Sequence, residues 1–463
     1  MKCLAQEACI ENDCVEGNTG RLCAECIEGW GKEGRESVCL KCDIKGAFLK
    51  MAGMSFILII YILLIFATTE EKKQRWKNNN DEIRIKGFLK LITAHLQQMI
   101  VLMDKNSLLG FQLDTTIDWI EIFSFTNDNV LSNDCVVKTI FPSNYDRLVL
   151  KNLIISIFPI FFAIFCFIFW SIYQTLRKNF IHDKIRKKLL CFLEITIKRL
   201  SILLVISLFL FYTIIIKTNF LIFNCVILDE DVSDSFFIDD LNLPCWSSKH
   251  FELVFIFGIS SILIWGVLFP FFIYVILKQN LKKSKTDINK LEAEKIEENS
   301  IVSTAIFEFF YKDYHENRFY WEVIIFLRKF LIYLFCSFNG TLYSEIKTLA
   351  LLIILFLFFS LTMSYKPYKK ITLNKLELFS LSILIYTVAL FSVTKDNLFY
   401  ELKLILFIIF LILNAVFYFL LLFNNFKILI LKIRTKKMKI HQKKKMGEKI
   451  KMDFKKPNVI SYL

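Results

Sequence analysis

Runs of about twenty apolar residues, separated by short polar stretches, recur along the chain from Leu49 to Asn424. Each matches the length of helix needed to cross about 30 Å of hydrocarbon. The clearest are 49–68, 150–173, 200–223, 252–277, 320–338, 344–364, 376–394 and 402–424. Pro159 and Pro270 fall inside two of them, as expected of kinks that neighbouring membrane helices tolerate. A ninth segment, 84–103, carries Lys86, Lys90, His95, Gln97 and Gln98, so hydropathy alone makes it an interfacial amphipathic helix.

The charge of the loops argues that 84–103 crosses. With that span included, the basic loops fall on one side: 69–83 (Lys72, Lys73, Arg75, Lys77), 174–199 (Arg177, Lys178, Lys184, Arg186, Lys187, Lys188, Lys198, Arg199) and 278–318. Lys366, Lys369, Lys370 and the tail with Lys436, Lys437, Lys443, Lys444 and Lys445 join them. The opposite side receives the nearly neutral 105–148 and an acidic loop with Asp229, Glu230, Asp231, Asp234, Asp239 and Asp240. The positive-inside rule then puts the N-terminus outside and the C-terminus in the cytoplasm. The opening MKCLAQEACIENDC lacks the basic-then-apolar pattern of a signal peptide. Span 49–68 is therefore expected either to insert as its own reverse anchor or to follow an ectodomain further upstream.

The predicted fold is all-α and polytopic: about nine transmembrane helices (47–424) between a small cysteine-rich extracellular cap (1–46) and a basic cytoplasmic tail (425–463). Composition agrees, with 55% apolar residues and a mean hydropathy of +0.49. The net charge of +14 sits in short loops and the tail, which makes it a topology signal and excludes nucleic acid as a partner. The expected partners are the bilayer, anionic lipids at the tail, and cations. The 49 phenylalanines are spread too widely to mark a site.

Of thirteen cysteines, Cys166, Cys191 and Cys336 lie in or beside apolar helices and read as small core residues. The other ten, Cys3, Cys9, Cys14, Cys23, Cys26, Cys39, Cys42, Cys135, Cys225 and Cys245, all fall on the predicted outer side, where disulfides form. Cys225 and Cys245 flank the acidic loop and are placed to close it, with Cys135 as a competitor. The pairs Cys23/Cys26 and Cys39/Cys42 also have the spacing of a Cys₄ zinc ribbon. Surplus cysteines just upstream and an outward position favour disulfides over that alternative. Seven cysteines cannot all pair among themselves, which leaves Cys3 as the odd one.

Ionisable groups inside spans are costly and are functional candidates. Glu322, Arg328 and Lys329 share one predicted helix; Glu322 and Lys329 share a face about 10 Å apart, too far to pair. Partners are expected from Arg318, or from Asn374 and Glu377 two helices on. A polar seam of Glu322, Arg328, Lys329, Asn374 and Glu377 is thus the candidate path for ions or lipid headgroups, with Glu322 and Glu377 shallow and Arg328 deeper. The plain alternative is a structural interhelical pair. No enzyme is indicated: the five histidines lack metal-ligand spacing, there is no phosphate-binding loop, and no Ser/His/Asp set converges. No cofactor is expected. Asn339-Gly340-Thr341 is a glycosylation triplet in a turn expected to be too tight for use.

GNTGRLCAECIEGWGKEGRESVCLKC, followed at once by a membrane span, resembles a family of protist surface proteins with EGF-like or polymorphic-repeat ectodomains and a shared multi-pass region. HLQQ at 95–98, FNC at 223–225, CWSSKH at 245–250, FYWEVIIFLRK at 319–329 and YKPYKKITLNKLELFS at 365–380 extend the resemblance over residues 14–400. The membrane region is distantly similar to the fungal transient-receptor-potential-like family, linked to calcium permeation and to lipid or flavin transport. The resemblance implies a channel-like or transporter-like protein passing cations, or lipid, through its bundle. The rival expectation is a non-conducting receptor or structural protein anchoring the cap, which a dry, fully packed bundle would favour.

Overall fold

The computed structural model describes residues 8–10, 13–32, 39–42, 53, 56, 59–60, 85–103, 144–178, 189–227, 235–237, 240–279, 310–337, 344–395, 402 and 405–424. The cap consists of three small antiparallel hairpins: β1 (Cys9–Ile10) with β2 (Asp13–Cys14), β3 (Asn18–Thr19) with β4 (Glu25–Cys26), and β5 (Trp30–Lys32) with β6 (Cys39–Lys41). So little chain cannot bury a core, and disulfides replace one. Cys14 bonds Cys23 and Cys26 bonds Cys39. The Asn18 amide staples the module, donating to the Cys23 carbonyl and accepting from Cys39 N–H, each at 2.9 Å. Gly17 holds a left-handed backbone (φ +93°) against the Trp30 ring, where a Cβ would collide.

Among the described residues eight long helices follow: α1 (Ile85–Leu102), α2 (Asn144–Lys178), α3 (Leu189–Leu221), α4 (Ser248–Gln279), α5 (Trp321–Ser337), α6 (Ser344–Tyr365), α7 (Ile371–Lys395) and α8 (Ile405–Asn424). Among the described residues five segments are long and apolar enough to cross a membrane: Ile202–Leu221, Ser248–Gln279, Glu345–Tyr365, Ile371–Leu390 and Ile405–Asn424. This fits an integral membrane protein. The helices α2 and α4 run through Pro159 and Pro270, and α4 widens to π-helical turns at Val254–Ile259 and Ile262–Leu268 before its proline. Gly258 and Gly266 in those turns receive the rings of Phe223 and Phe330.

Side-chain contacts fix helix directions. Gly87, His95 and Met99 of α1 meet Leu373, Ser380 and Thr387 of α7, a rising series that makes the two helices parallel. Lys90 and Gln97 meet Glu322 and Lys329, so α5 runs the same way. In α4, Gly258 and Phe269 meet Phe223 and Tyr212, which makes α4 antiparallel to α3. Phe417 meets Phe379 while the Tyr386 hydroxyl reaches the Leu406 carbonyl, so α8 opposes α7. Apolar residues of α2, α4, α6 and α8 are prominent on the exposed surface, including Phe161, Phe255, Phe271, Ile353, Leu357, Ile412 and Phe419, as lipid-facing helices require.

Between α3 and α4 lies a three-stranded antiparallel sheet, β7 (Cys225–Ile227), β8 (Ser235–Phe237) and β9 (Asp240–Pro244). The Cys225–Cys245 disulfide closes it, as the flanking cysteines anticipated. Cys245-Trp-Ser-Ser-Lys-His250 is a helix-entry device: Ser247 caps α4 by accepting from His250 N–H, and His250 Nδ1 accepts from Trp246 N–H. The other ring nitrogen, Nε2, lies 3.0 Å from the Ile222 carbonyl, tying α4 to the end of α3. The cap touches this sheet, with Arg21 over the Phe236 ring at 4.1 Å and Asn242 donating to Glu25. The three disulfides among the described residues thus gather at one end of the bundle.

Candidate functional site

α1 is the most enclosed helix. From Phe88 to Met103 nearly every side chain is buried, including Lys90, Thr93, His95, Gln97 and Gln98. Hydropathy had placed these polar groups at a membrane interface; they instead supply the polar centre of the bundle, because three neighbouring helices present matching groups at helical spacing. Lys90 and Gln97 are seven residues apart, as are Glu322 and Lys329, so two parallel helices meet in two rungs about 10 Å apart.

In the first rung Lys90 Nζ lies 2.5 Å from Glu322 Oε2, and the Tyr314 hydroxyl donates to the same oxygen at 2.8 Å. In the second, Lys329 Nζ donates to Gln97 Oε1 at 2.7 Å and lies over the Phe209 and Phe326 rings at 4.8 and 5.9 Å. Gln97 Nε2 donates to the Leu210 carbonyl, and the Tyr333 hydroxyl donates to the Gln97 carbonyl. A third contact joins α5 to α7: Arg328 Nη1 is 2.7 Å from Glu377 Oε1, with both side chains at most 3% exposed. The approach lies off the hydrogen-bonding direction, so charge holds that oxygen, and Arg328 Nε has no hydrogen-bond partner among the described residues. His95 bridges α7 and α8 through Ser380 Oγ at 2.8 Å and Asn414 Oδ1 at 3.4 Å, its ring against Phe417.

At the end of the bundle opposite the disulfides, the segment before α5 and the turn before α7 form one strap. His315 N–H donates to the Pro367 carbonyl and Lys369 N–H to the Asp313 carbonyl, both at 3.0 Å. Tyr314 and Tyr368 face each other with ring centroids 4.9 Å apart, and each reaches a buried carboxylate, Tyr368 donating to Glu377 at 3.4 Å. Burial, and then the adjacent carboxylate, hold both phenols well above their ordinary range, so they remain donors.

Several expectations are corrected. Asn374 lies outside the seam: its amide brackets the turn, accepting from Tyr368 N–H and donating to the Tyr368 carbonyl. Arg318 is not the expected partner: it donates to the Lys366 carbonyl at the surface and pairs with neither Glu322 nor Glu377 among the described residues. The expected similar depth of Glu322 and Glu377 needs no correction: Lys90 of α1 meets Glu322, while Gly87 and His95 meet Leu373 and Ser380 on either side of Glu377, and Arg328, six residues beyond Glu322, meets Glu377 across α5 and α7. The zinc alternative fails because Cys23 and Cys26 are bonded to Cys14 and Cys39, and Cys42 is disulfide-bonded too, which leaves no set of four thiolates. Cys225, Cys245 and His250 gather closely, but both sulfurs belong to the disulfide. Cys166 and Cys336 are buried free thiols. Cys3, Cys135 and Asn339-Gly340-Thr341 lie outside the described residues, as do the side chains of Cys9 and Cys191.

A family model described as "Domain of unknown function (DUF7630)" matches residues 1–42, the cap. No curated protein and no solved structure matches the chain.

Proposed function

We propose that this chain is a nine-span membrane transport protein, N-terminus outside, that passes cations through the region of the α1–α5–α7 charge ladder and is closed in this structure. One observation carries the reading: Lys90, Arg328, Lys329, Glu322 and Glu377 are buried at the centre of an apolar bundle. Removing such charges from water costs several kcal/mol each, and apolar residues of similar size would serve stability as well or better. Their retention argues for a role in permeation. The disulfides at one end and Lys366, Lys369 and Lys370 in the strap at the other support the orientation, and the shared direction of α1, α5 and α7 supports a crossing by α1.

A second reading, a non-conducting receptor or anchor for the cap, draws on a specific observation too. Every charged group of the ladder is within reach of a partner and nearly inaccessible to solvent, the condition expected of a structural core. Purified protein in liposomes separates the two. Potassium, sodium or calcium flux above that of empty vesicles, reduced by Glu377→Gln, supports transport. Absence of cation flux and of labelled-lipid exchange at both voltage polarities would leave the anchoring reading.

A further inference from the structure

The first rung is a built ammonium site whose occupant belongs to the protein. The Lys90 ammonium is 2.5 Å from Glu322 Oε2 and 5.3 Å from the centroid of the Tyr314 ring. The Tyr314 hydroxyl donates to that same carboxylate oxygen, and its ring packs on Tyr368, which in turn reaches Glu377. Lys90, Glu322, Tyr314 and Tyr368 are all more than nine-tenths buried. A carboxylate to accept N–H, an aromatic face to meet the cation and a second phenol behind it together make the chemistry that recognises a primary ammonium.

The place of this cage matters as much as its content. It sits at the first turn of α5, directly beneath the strap of two backbone hydrogen bonds that joins Asp313–His315 to Pro367–Lys369. Lys90 reaches it from α1, one turn after Ile85, on a four-carbon stem with rotatable bonds. Lys329, Arg328 and Glu377, the other charges of the ladder, are held by their own partners on α1, α3 and α7. Withdrawal of Lys90 would leave Glu322 beneath the strap with the Tyr314 hydroxyl but without its cation, in a cage shaped by an ammonium.

We infer that Glu322, Tyr314 and Tyr368 form a cation site for primary ammonium groups, and that Lys90 is a tethered occupant that plugs it in the closed protein. The inference rests on the transport reading for its purpose but not for its test. In full-length Lys90→Ala protein, purified in detergent, ethylammonium chloride should raise the thermal unfolding midpoint saturably by about 2 to 4 °C. Tetramethylammonium, which has no N–H to donate, and potassium at equal ionic strength should shift it much less. In Lys90→Ala/Glu322→Gln the ethylammonium effect should vanish. Equal shifts with all three salts, or a shift that survives in the double variant, would overturn the site. So would a Lys90→Ala protein that fails to accumulate even when expressed and purified in ethylammonium, while the double variant accumulates. In liposomes Lys90→Ala should conduct monovalent cations at least threefold faster than the wild type. A protein that binds ethylammonium yet conducts nothing in either form keeps the site and refutes the transport reading. No shift, with conduction unchanged, refutes both the site and the plug and leaves the transport reading to the flux of the wild type.

Discussion

Replacing Arg328 by Met tests whether the α5–α7 contact is a costly pair or an incidental one. At 2.7 Å the attraction between Arg328 and Glu377 is about 6 kcal/mol at an effective dielectric of 20, before the cost of desolvating either group. Removing the guanidinium leaves Glu377 buried at 1% exposure with the Tyr368 hydroxyl, 3.4 Å away, as its remaining polar contact in the ladder. Breaking a buried pair in this way costs about 3–5 kcal/mol, whereas replacing both members by apolar side chains is about neutral. Arg328→Met and Glu377→Leu should therefore each destabilise by about 3–5 kcal/mol, and the double variant should recover most of that loss. Denaturant unfolding in mixed micelles, followed by near-UV circular dichroism for all four proteins, measures the cycle. Single variants within 1 kcal/mol of wild type, or a double variant as unstable as the sum of the singles, would refute the reasoning.

Three further outcomes are expected. Glycosylation acceptors introduced at 229–240 should be modified and those at 278–300 should not; the reverse pattern would invert the bundle. Cys225→Ser/Cys245→Ser opens a loop with a sequence separation of 20 and should cost about 3 kcal/mol, read from thermal unfolding beside a non-reducing peptide map that shows the wild-type bridge. Gly266→Leu should destabilise the α4–α5 contact by about 1–3 kcal/mol through collision with Phe330, and Gly266→Leu/Phe330→Ala should recover part of it.

Five of the nine expected spans recur among the described residues as apolar helices of membrane length, legible because a twenty-residue apolar run has few alternatives, while most of 49–68 lies outside those residues. The same logic failed for α1, where hydropathy averages over a helix whose Lys90, His95 and Gln97 are matched by Glu322, Ser380 and Lys329 from distant parts of the chain. Spacing offered a usable signal: both Lys90/Gln97 and Glu322/Lys329 recur at seven residues, the repeat that lets parallel helices meet in rungs. Arg328 was expected to look to Glu377 among other groups, and the pair forms because both lie on helices that run in the same direction beside α1. Tyr314 was not singled out at all, since nothing about a tyrosine before a span marks it as a carboxylate's donor until Tyr368 is seen against it. The motifs HLQQ, CWSSKH and YKPYKKITLNKLELFS each supply a tie between elements: a bridge among α1, α7 and α8, an entry cap for α4, and the turn that carries Tyr368 and Glu377.

The central position of α1 also sets a timetable for biogenesis. Gln97 meets its partner Lys329 across 232 residues of sequence, and His95 meets Ser380 and Asn414 across 285 and 319. At about 5–20 residues per second, ribosomes complete Lys329 on the order of ten to fifty seconds after Gln97. During most of that interval Lys90 lacks Glu322 and Gln97 lacks Lys329, and throughout it His95 lacks Ser380 and Asn414; Gln98 bonds within α1 and Gln97 gains the Leu210 carbonyl earlier. The nascent helix must wait at the lipid headgroups or in the translocation machinery, and the protein's core is the part of the membrane domain that can be assembled only after most of its perimeter has been made.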